Sequence, residues 1–190
     1  MSVFLLSAGV IALAEIGDKT QLLAMMLSAR TRRPWMVIGG MFVATVLNHA
    51  VAGALGHWVS RTIDPQWLRW ILGLSFIAMA AWTLIPDKLN AESKPASGRW
   101  GVFGTTLIAF FLLEIGDKTQ IATIALAARY ESLVAVVLGT TFGMMIANVP
   151  AALFGDVVAR RVPMRWVRAT ACVLFLVVGL AVLFGLPMPI

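Results

Sequence analysis

Six apolar stretches, residues 3–29, 35–59, 67–85, 102–128, 132–158 and 166–186, constrain this chain more than any other feature. A hydrocarbon core about 30 Å thick is crossed by about 20 helical residues, and each stretch is close to that length or longer. Lipid offers no partners to backbone N–H and C=O groups, so a spanning segment of this kind must satisfy them internally as a helix. The expected fold is therefore all-α, a polytopic membrane protein of six transmembrane helices. Composition agrees: 60% of the 190 residues are hydrophobic and 13% charged, against roughly 45–50% apolar in soluble domains. Trp35, Trp58, Trp67, Trp70, Trp100 and Trp166 fall at the ends of these stretches, and Trp82 lies one turn from an end, as in an interfacial aromatic belt.

The formal charge of +6 does not indicate a nucleic-acid partner. No run of five basic residues occurs, and no basic face alternates with stacking aromatics. The charges instead divide between the two sides of the membrane. Loops after the first, third and fifth spans carry Arg30, Arg32, Arg33, Lys88, Lys94, Arg99, Arg160, Arg161, Arg165 and Arg168, whereas the other side carries Arg61, Arg69 and Arg129. Because cytoplasmic loops hold the excess of Lys and Arg, both termini are expected on the non-cytoplasmic side. The N-terminus lacks the basic region of a cleavable signal and reads as a retained first span. The single cysteine, Cys172, excludes a disulfide framework or a paired-cysteine redox centre.

EIGDKTQ at 15–21 returns unchanged as EIGDKTQ at 114–120. Beyond the motif, Gly39, Phe42, Asn48, Ala52 and Arg61 match Gly139, Phe142, Asn148, Ala152 and Arg161. The polar segment 87–100 reads as a linker between two halves, 1–86 and 101–190. Each half holds three spans, an odd number, so the second copy enters the membrane from the opposite side. Two inverted three-helix repeats of this kind form the scaffold on which many secondary transporters place a site at mid-membrane.

The repeated motif puts Glu15, Asp18 and Lys19, and again Glu114, Asp117 and Lys118, near mid-depth of the first and fourth spans. On an unbroken helix each triplet shares one face. A charge at a helix centre costs about 2.5–3.5 kcal/mol on insertion scales, so six of them represent on the order of 15–20 kcal/mol if unpaired. Two lysines neutralise two of the four acids, which leaves two negative charges. One divalent cation or two protons would balance them. Closely spaced carboxylates titrate as a coupled set, and the expected mechanism alternates cation-loaded and doubly protonated states.

Thr20, Gln21, Thr119 and Gln120, with Asn48 and Asn148 in the second and fifth spans, are candidate neutral ligands beside Glu15, Asp18, Glu114 and Asp117. Such oxygen donors suit Ca²⁺, Mn²⁺ or Mg²⁺. Asparagines in membrane helices also serve simply as interhelical hydrogen-bond partners. Gly17 and Gly116 either let the helix open or permit close packing, and the sequence leaves both open. Pro150 implies a kink. Met25 is opposed by the apolar Ile124 and reads as filler, and His49 beside Asn48 has no counterpart in the second half. Gly139 and Gly143 form a GxxxG that predicts close packing of the fifth span.

EIGDKT at 15–20 and at 114–119 resembles the E-x-G-D-[KR]-[TS] hallmark of the Golgi-type manganese and calcium exchangers and their bacterial relatives, part of the lysine-exporter superfamily. The resemblance covers essentially the whole chain. It implies a cation/proton antiporter with Glu15, Asp18, Glu114 and Asp117 as cation ligands, supported by Thr20, Gln21, Thr119 and Gln120. The short linker and the lack of an N-terminal extension look bacterial, which implies Mn²⁺ export at the plasma (inner) membrane. Divalent cation and protons are then substrates and the bilayer the partner; no cofactor is expected, and a homo-oligomer is compatible. Within transport the alternative is an exporter of an amino acid or other organic cation, for which a four-acid cage is too compact. From another class, a non-transporting structural subunit predicts no metal binding. No nucleotide-hydrolysis motif supports a pump, and neither an enzyme nor a redox carrier is indicated.

Overall fold

The structure, a computed structural model, describes residues 2–85, 101–130, 132–161 and 164–186, with the side chains of 156–161 and 164 excluded. The expected linker 87–100, with Lys88, Lys94, Arg99 and Trp100, lies outside the described residues, as does Glu131. Among the described residues the chain is all-helical: α1 (Val3–Glu15), α2 (Lys19–Thr31), α3 (Pro34–Thr62), α4 (Pro65–Thr83), α5 (Gly101–Glu114), α6 (Lys118–Arg129), α7 (Leu133–Arg161) and α8 (Met164–Leu183).

The stretches 3–29 and 102–128, expected as single helices, are each two helices in tandem. Gly17 and Gly116 take φ of 83° and 76°, a left-handed conformation that costs a side-chain-bearing residue roughly 1–2 kcal/mol and glycine almost nothing. Of the two uses the sequence allowed these glycines, the opening of the helix is the one observed. Other boundaries follow local chemistry. Arg32 closes α2 in the left-handed region at φ 52°, and Pro34 opens α3. Asp64 caps α4, its Oδ1 accepting from Gln66 N–H at 2.8 Å, with Pro65 at the first helical position, where no N–H is needed. Helix α7 runs through Pro150 and leaves helical geometry at Phe154 (φ −130°, ψ 30°).

Packing is crosswise. The pair α1 and α2 lies on α7 of the other half, and α5 and α6 lie on α3; α3 also meets α7, and α4 meets α8. Two glycines let the backbones approach. A Cβ on Gly40 would stand 2.6 Å from the carbonyl oxygen of Phe103 and 2.9 Å from the Cβ of Thr106; one on Gly139 would stand 2.5 Å from that of Phe4 and 2.9 Å from the Cβ of Ser7. The two contacts occupy equivalent places in the halves. At the other interface Phe76 of α4 stacks on Phe175 of α8, with centroids 6.3 Å apart.

Polarity is distributed as a bilayer requires. Leu47, Val51 and Leu55 on α3 and Leu138, Phe142 and Ile146 on α7 form exposed apolar stripes, and Trp35, Trp58, Trp67 and Trp166 are exposed. Glu15, Asp18, Asn48, Glu114, Asp117, Thr119 and Asn148 are buried. Three helices, Pro34–Thr62, Leu133–Gly155 and Arg165–Leu183, are individually long and apolar enough to cross a membrane, while α1 and α5 are shorter apolar helices.

Candidate cation site

Each copy of the motif folds into the same break. Glu15 ends α1 and Asp18 stands at the N-cap of α2; Glu114 ends α5 and Asp117 stands at the N-cap of α6. A tight turn joins them, with Asp18 N–H donating to Glu15 C=O at 2.9 Å and Asp117 N–H to Glu114 C=O at 3.1 Å. The glutamine of the motif then reaches back. Gln21 Oε1 accepts from Gly17 N–H at 2.9 Å, and Gln120 Oε1 accepts from Gly116 N–H at 2.7 Å. The first residues of a helix leave N–H groups without intrahelical partners, and a glutamine three residues beyond the cap is well placed to satisfy one. EIGDKTQ thus specifies its own break: glycine to turn, glutamine to brace, and aspartate at the N-cap position, where the side chain of Asp117 accepts from Thr119 N–H at 3.4 Å and that of Asp18 makes no cap bond.

The break changes which groups meet. Lys19 is not turned along a continuous helix to Glu15; its Nζ lies 2.9 Å from Asp117 Oδ1 in the other motif. Reciprocally, Lys118 Nζ lies 2.7 Å from Asp18 Oδ1. Two ion pairs therefore tie the halves together. The aspartates also receive the threonine hydroxyls: Thr20 Oγ1 donates to Asp18 Oδ2 at 3.4 Å, and Thr119 Oγ1 to Asp117 Oδ2 at 3.3 Å.

The glutamates are held by the long helices of the opposite halves. Asn148 Nδ2 donates to Glu15 Oε1 at 3.1 Å, and Thr45 Oγ1 donates to Glu114 Oε1 at 3.4 Å. Asn48 Nδ2 donates instead to Phe111 C=O at 3.1 Å, one turn before Glu114. Gln21 Nε2 binds Ala147 C=O at 3.0 Å, which leaves that side chain engaged at both ends. Thr45 was not singled out from the sequence. Its signal was its place one turn before Asn48, but its counterpart Met145 carries no donor.

The two motifs and both asparagines thus lie together within the bundle, yet the four carboxylates do not form one coordination shell. Among the described residues no three carboxylate, imidazole or thiol groups converge as a metal-holding set, because lysines engage the aspartates. Among the described residues, the buried oxygens without a hydrogen-bond partner include Glu15 Oε2, Glu114 Oε2 and Asn148 Oδ1 around the motifs. An unpaired buried acceptor carries its full desolvation cost, and these three lie around the motifs. Both ring nitrogens of the buried His49 are likewise unpartnered.

Comparison with known proteins places the chain in a family. Residues 3–91 and 102–187 match the family described as divalent cation/proton antiporter GDT1. The chain is 48% identical over 185 residues to a Vibrio cholerae serotype O1 protein named "Putative manganese exporter", covering 97% of this chain and 92% of the relative. A GDT1-like protein of Synechocystis is 31% identical, with 87% and 88% covered. GDT1-like protein 3 of Arabidopsis thaliana is 28% identical, with 90% and 66% covered. No solved structure matches the chain. With both halves matched and the doubled motif at the crossing, the chain belongs to the GDT1 family of divalent cation/proton antiporters, membrane transporters rather than enzymes.

Proposed function

We propose that this chain exports Mn²⁺, and secondarily Ca²⁺, from the cytoplasm in exchange for protons across a bacterial plasma membrane. The proposed architecture is six spans in two inverted repeats, 1–86 and 101–190, in which α1 with α2 and α5 with α6 each make one broken span. Both termini lie outside the cytoplasm. Glu15, Asp18, Glu114 and Asp117 are the cation ligands, with Thr20, Gln21, Thr119, Gln120, Asn48 and Asn148 supplying neutral oxygens or orienting the acids. Hard oxygen donors of this kind suit Mn²⁺ and Ca²⁺, and the name of the Vibrio relative favours manganese.

The observation that carries this reading is the reciprocal pairing of Lys118 with Asp18 and of Lys19 with Asp117, beside glutamate oxygens that have no partner. Four acids and two lysines leave two negative charges, so the buried cluster accepts one divalent ion or two protons and nothing in between without a charge penalty. A cation that takes the aspartate oxygens must displace the ammonium groups. Loading is thereby coupled to breaking both links between the halves, which gives the binding event leverage on their relative position.

Proteoliposome flux of Mn²⁺ and Ca²⁺ under an imposed pH difference tests the proposal. Wild-type protein should move the ion against the proton gradient, and Glu114→Gln should abolish coupled flux. Undiminished flux in that variant would remove Glu114 from the site.

A further inference from the structure

The three arginines that the charge asymmetry leaves on the minor side, Arg61, Arg69 and Arg129, gather around two adjoining cavities. The larger, of about 550 Å³, is lined by His57, Ser60, Arg61, Arg129 and Tyr130. The smaller, of about 230 Å³, is lined by Arg69, Arg129, Leu68, Leu72 and Val182. Leu68, Ala128 and Arg129 belong to both. The elements that build them are the C-terminal ends of α3, α6 and α8 and the first two turns of α4.

Among the described residues none of these arginines has a carboxylate within ion-pair distance; the salt bridges there belong to the motifs. Asp64, the nearby acid among the described residues, is turned to cap α4. Arg129 lies over the ring of Tyr130, 5.6 Å from its centroid. Arg69 Nη1 lies 3.6 Å from where a Cβ on Gly185, just past the end of α8, would stand. The hydroxyl of Tyr130, a residue 6% exposed, is buried without a hydrogen-bond partner. At neutral pH that phenol keeps its proton and donates. Arginine's fork of N–H groups matches phosphate oxygens, and a cavity of this size accommodates a small polar group.

We propose that this pocket binds the phosphate of an anionic membrane phospholipid. Arg61, Arg129 and the Tyr130 hydroxyl hold the phosphate oxygens, and the apolar wall of Leu68, Leu72 and Val182 in the adjoining cavity receives the start of an acyl chain. The lipid source is favoured over a soluble phosphate because the polar chamber continues into an apolar one. The exposed Trp67 and Trp70 on the same helix also mark the headgroup level. The pocket sits at one end of α6, whose other end carries Asp117, Lys118 and Thr119. A lipid held there fixes the half-helix that must move when the Lys118–Asp18 pair opens.

The test is native mass spectrometry and thermal unfolding of the whole protein in detergent, with phosphatidylglycerol, phosphatidylcholine or inorganic phosphate added. Phosphatidylglycerol should be retained and raise the melting temperature, and phosphatidylcholine should not. The Arg61→Gln/Arg129→Gln variant should bind phosphatidylglycerol at least tenfold more weakly, while Arg165→Gln, an exposed arginine elsewhere, should bind like wild type. Tyr130→Phe removes one oxygen without changing shape and keeps the test valid if the double variant folds poorly; it should weaken retention severalfold. An arginine-dependent shift with inorganic phosphate alone would keep the phosphate site and overturn its assignment to lipid. Equal phosphatidylglycerol binding by wild type, the double variant and Tyr130→Phe, or no preference over phosphatidylcholine without a phosphate effect, would overturn the site.

Discussion

Lys118 Nζ stands 2.7 Å from Asp18 Oδ1, joining two copies of one motif across 100 residues of sequence. Its mirror image, Lys19 with Asp117 at 2.9 Å, is chemically the same pair in a different setting: the side chain of Lys19 is 24% exposed and that of Lys118 is 6%. The halves are related by sequence, but one ion pair is less enclosed by protein than the other.

The difference predicts unequal costs for identical substitutions. Removing one partner of a buried ion pair strands the other charge and costs about 3–5 kcal/mol. A pair partly screened by water falls toward the roughly 0–1 kcal/mol of exposed pairs. Lys118→Ala should therefore lower stability in detergent by more than Lys19→Ala does. Equal losses in a denaturant titration would show that the two pairs share one environment.

Stability and transport should separate in a paired replacement. Asp18→Asn together with Lys118→Gln removes both charges and leaves a hydrogen-bonding pair of similar shape, so it should be less destabilising than either single change. The two effects are non-additive because the residues touch. Coupled cation flux should nonetheless be lost, since an amide cannot supply the negative charge that the ion needs. Retained flux in the double variant would relieve Asp18 of its ligand role.

The sequence displayed a good part of this arrangement. All-helical structure, the apolar outer stripes and the burial of the motif carboxylates followed from hydropathy and from the cost of charge in lipid. The duplication matches Gly39 with Gly139, whereas the close contact equivalent to that of Gly139 is made by Gly40, one residue along. The crossed lysines did not follow from the sequence, because helical spacing places Lys19 beside Glu15, and only the break at Gly17 turns it elsewhere. That break was one of two readings of a glycine, and what decides it, a left-handed φ braced by Gln21, is a property of the folded backbone. Thr45 escaped notice because its partner, Glu114, is 69 residues away and position 145 does not repeat it.

The break itself can be probed without crowding the site. At Gly116 an added Cβ meets nothing within 4 Å, so Gly116→Ala should cost only the left-handed backbone strain, about 1–2 kcal/mol. Asparagine tolerates that conformation better than other side chains and a β-branched residue worse. Flux should therefore fall in the order Gly116→Asn, Gly116→Ala, Gly116→Val. Full activity in Gly116→Val would mean that the turn is not needed in the transport cycle.

Cation binding should be visible as stabilisation, with a defined dependence on pH. A ligand that binds the folded state alone contributes about 2.7 kcal/mol at one hundred times its dissociation constant, enough to raise the melting temperature in detergent measurably. The ligands proposed here are carboxylates, which bind metal only after losing their protons. As pH falls, protons take the same two charges that the ion would neutralise, so the Mn²⁺-induced shift should shrink toward acid pH and grow toward alkaline pH. Glu15→Gln should reduce the shift at every pH, because it removes one negative charge and the unpartnered oxygen that Asn148 leaves available on that side chain. A shift of constant size from acid to alkaline pH would separate metal binding from proton exchange, and the antiport coupling would then need a different set of residues.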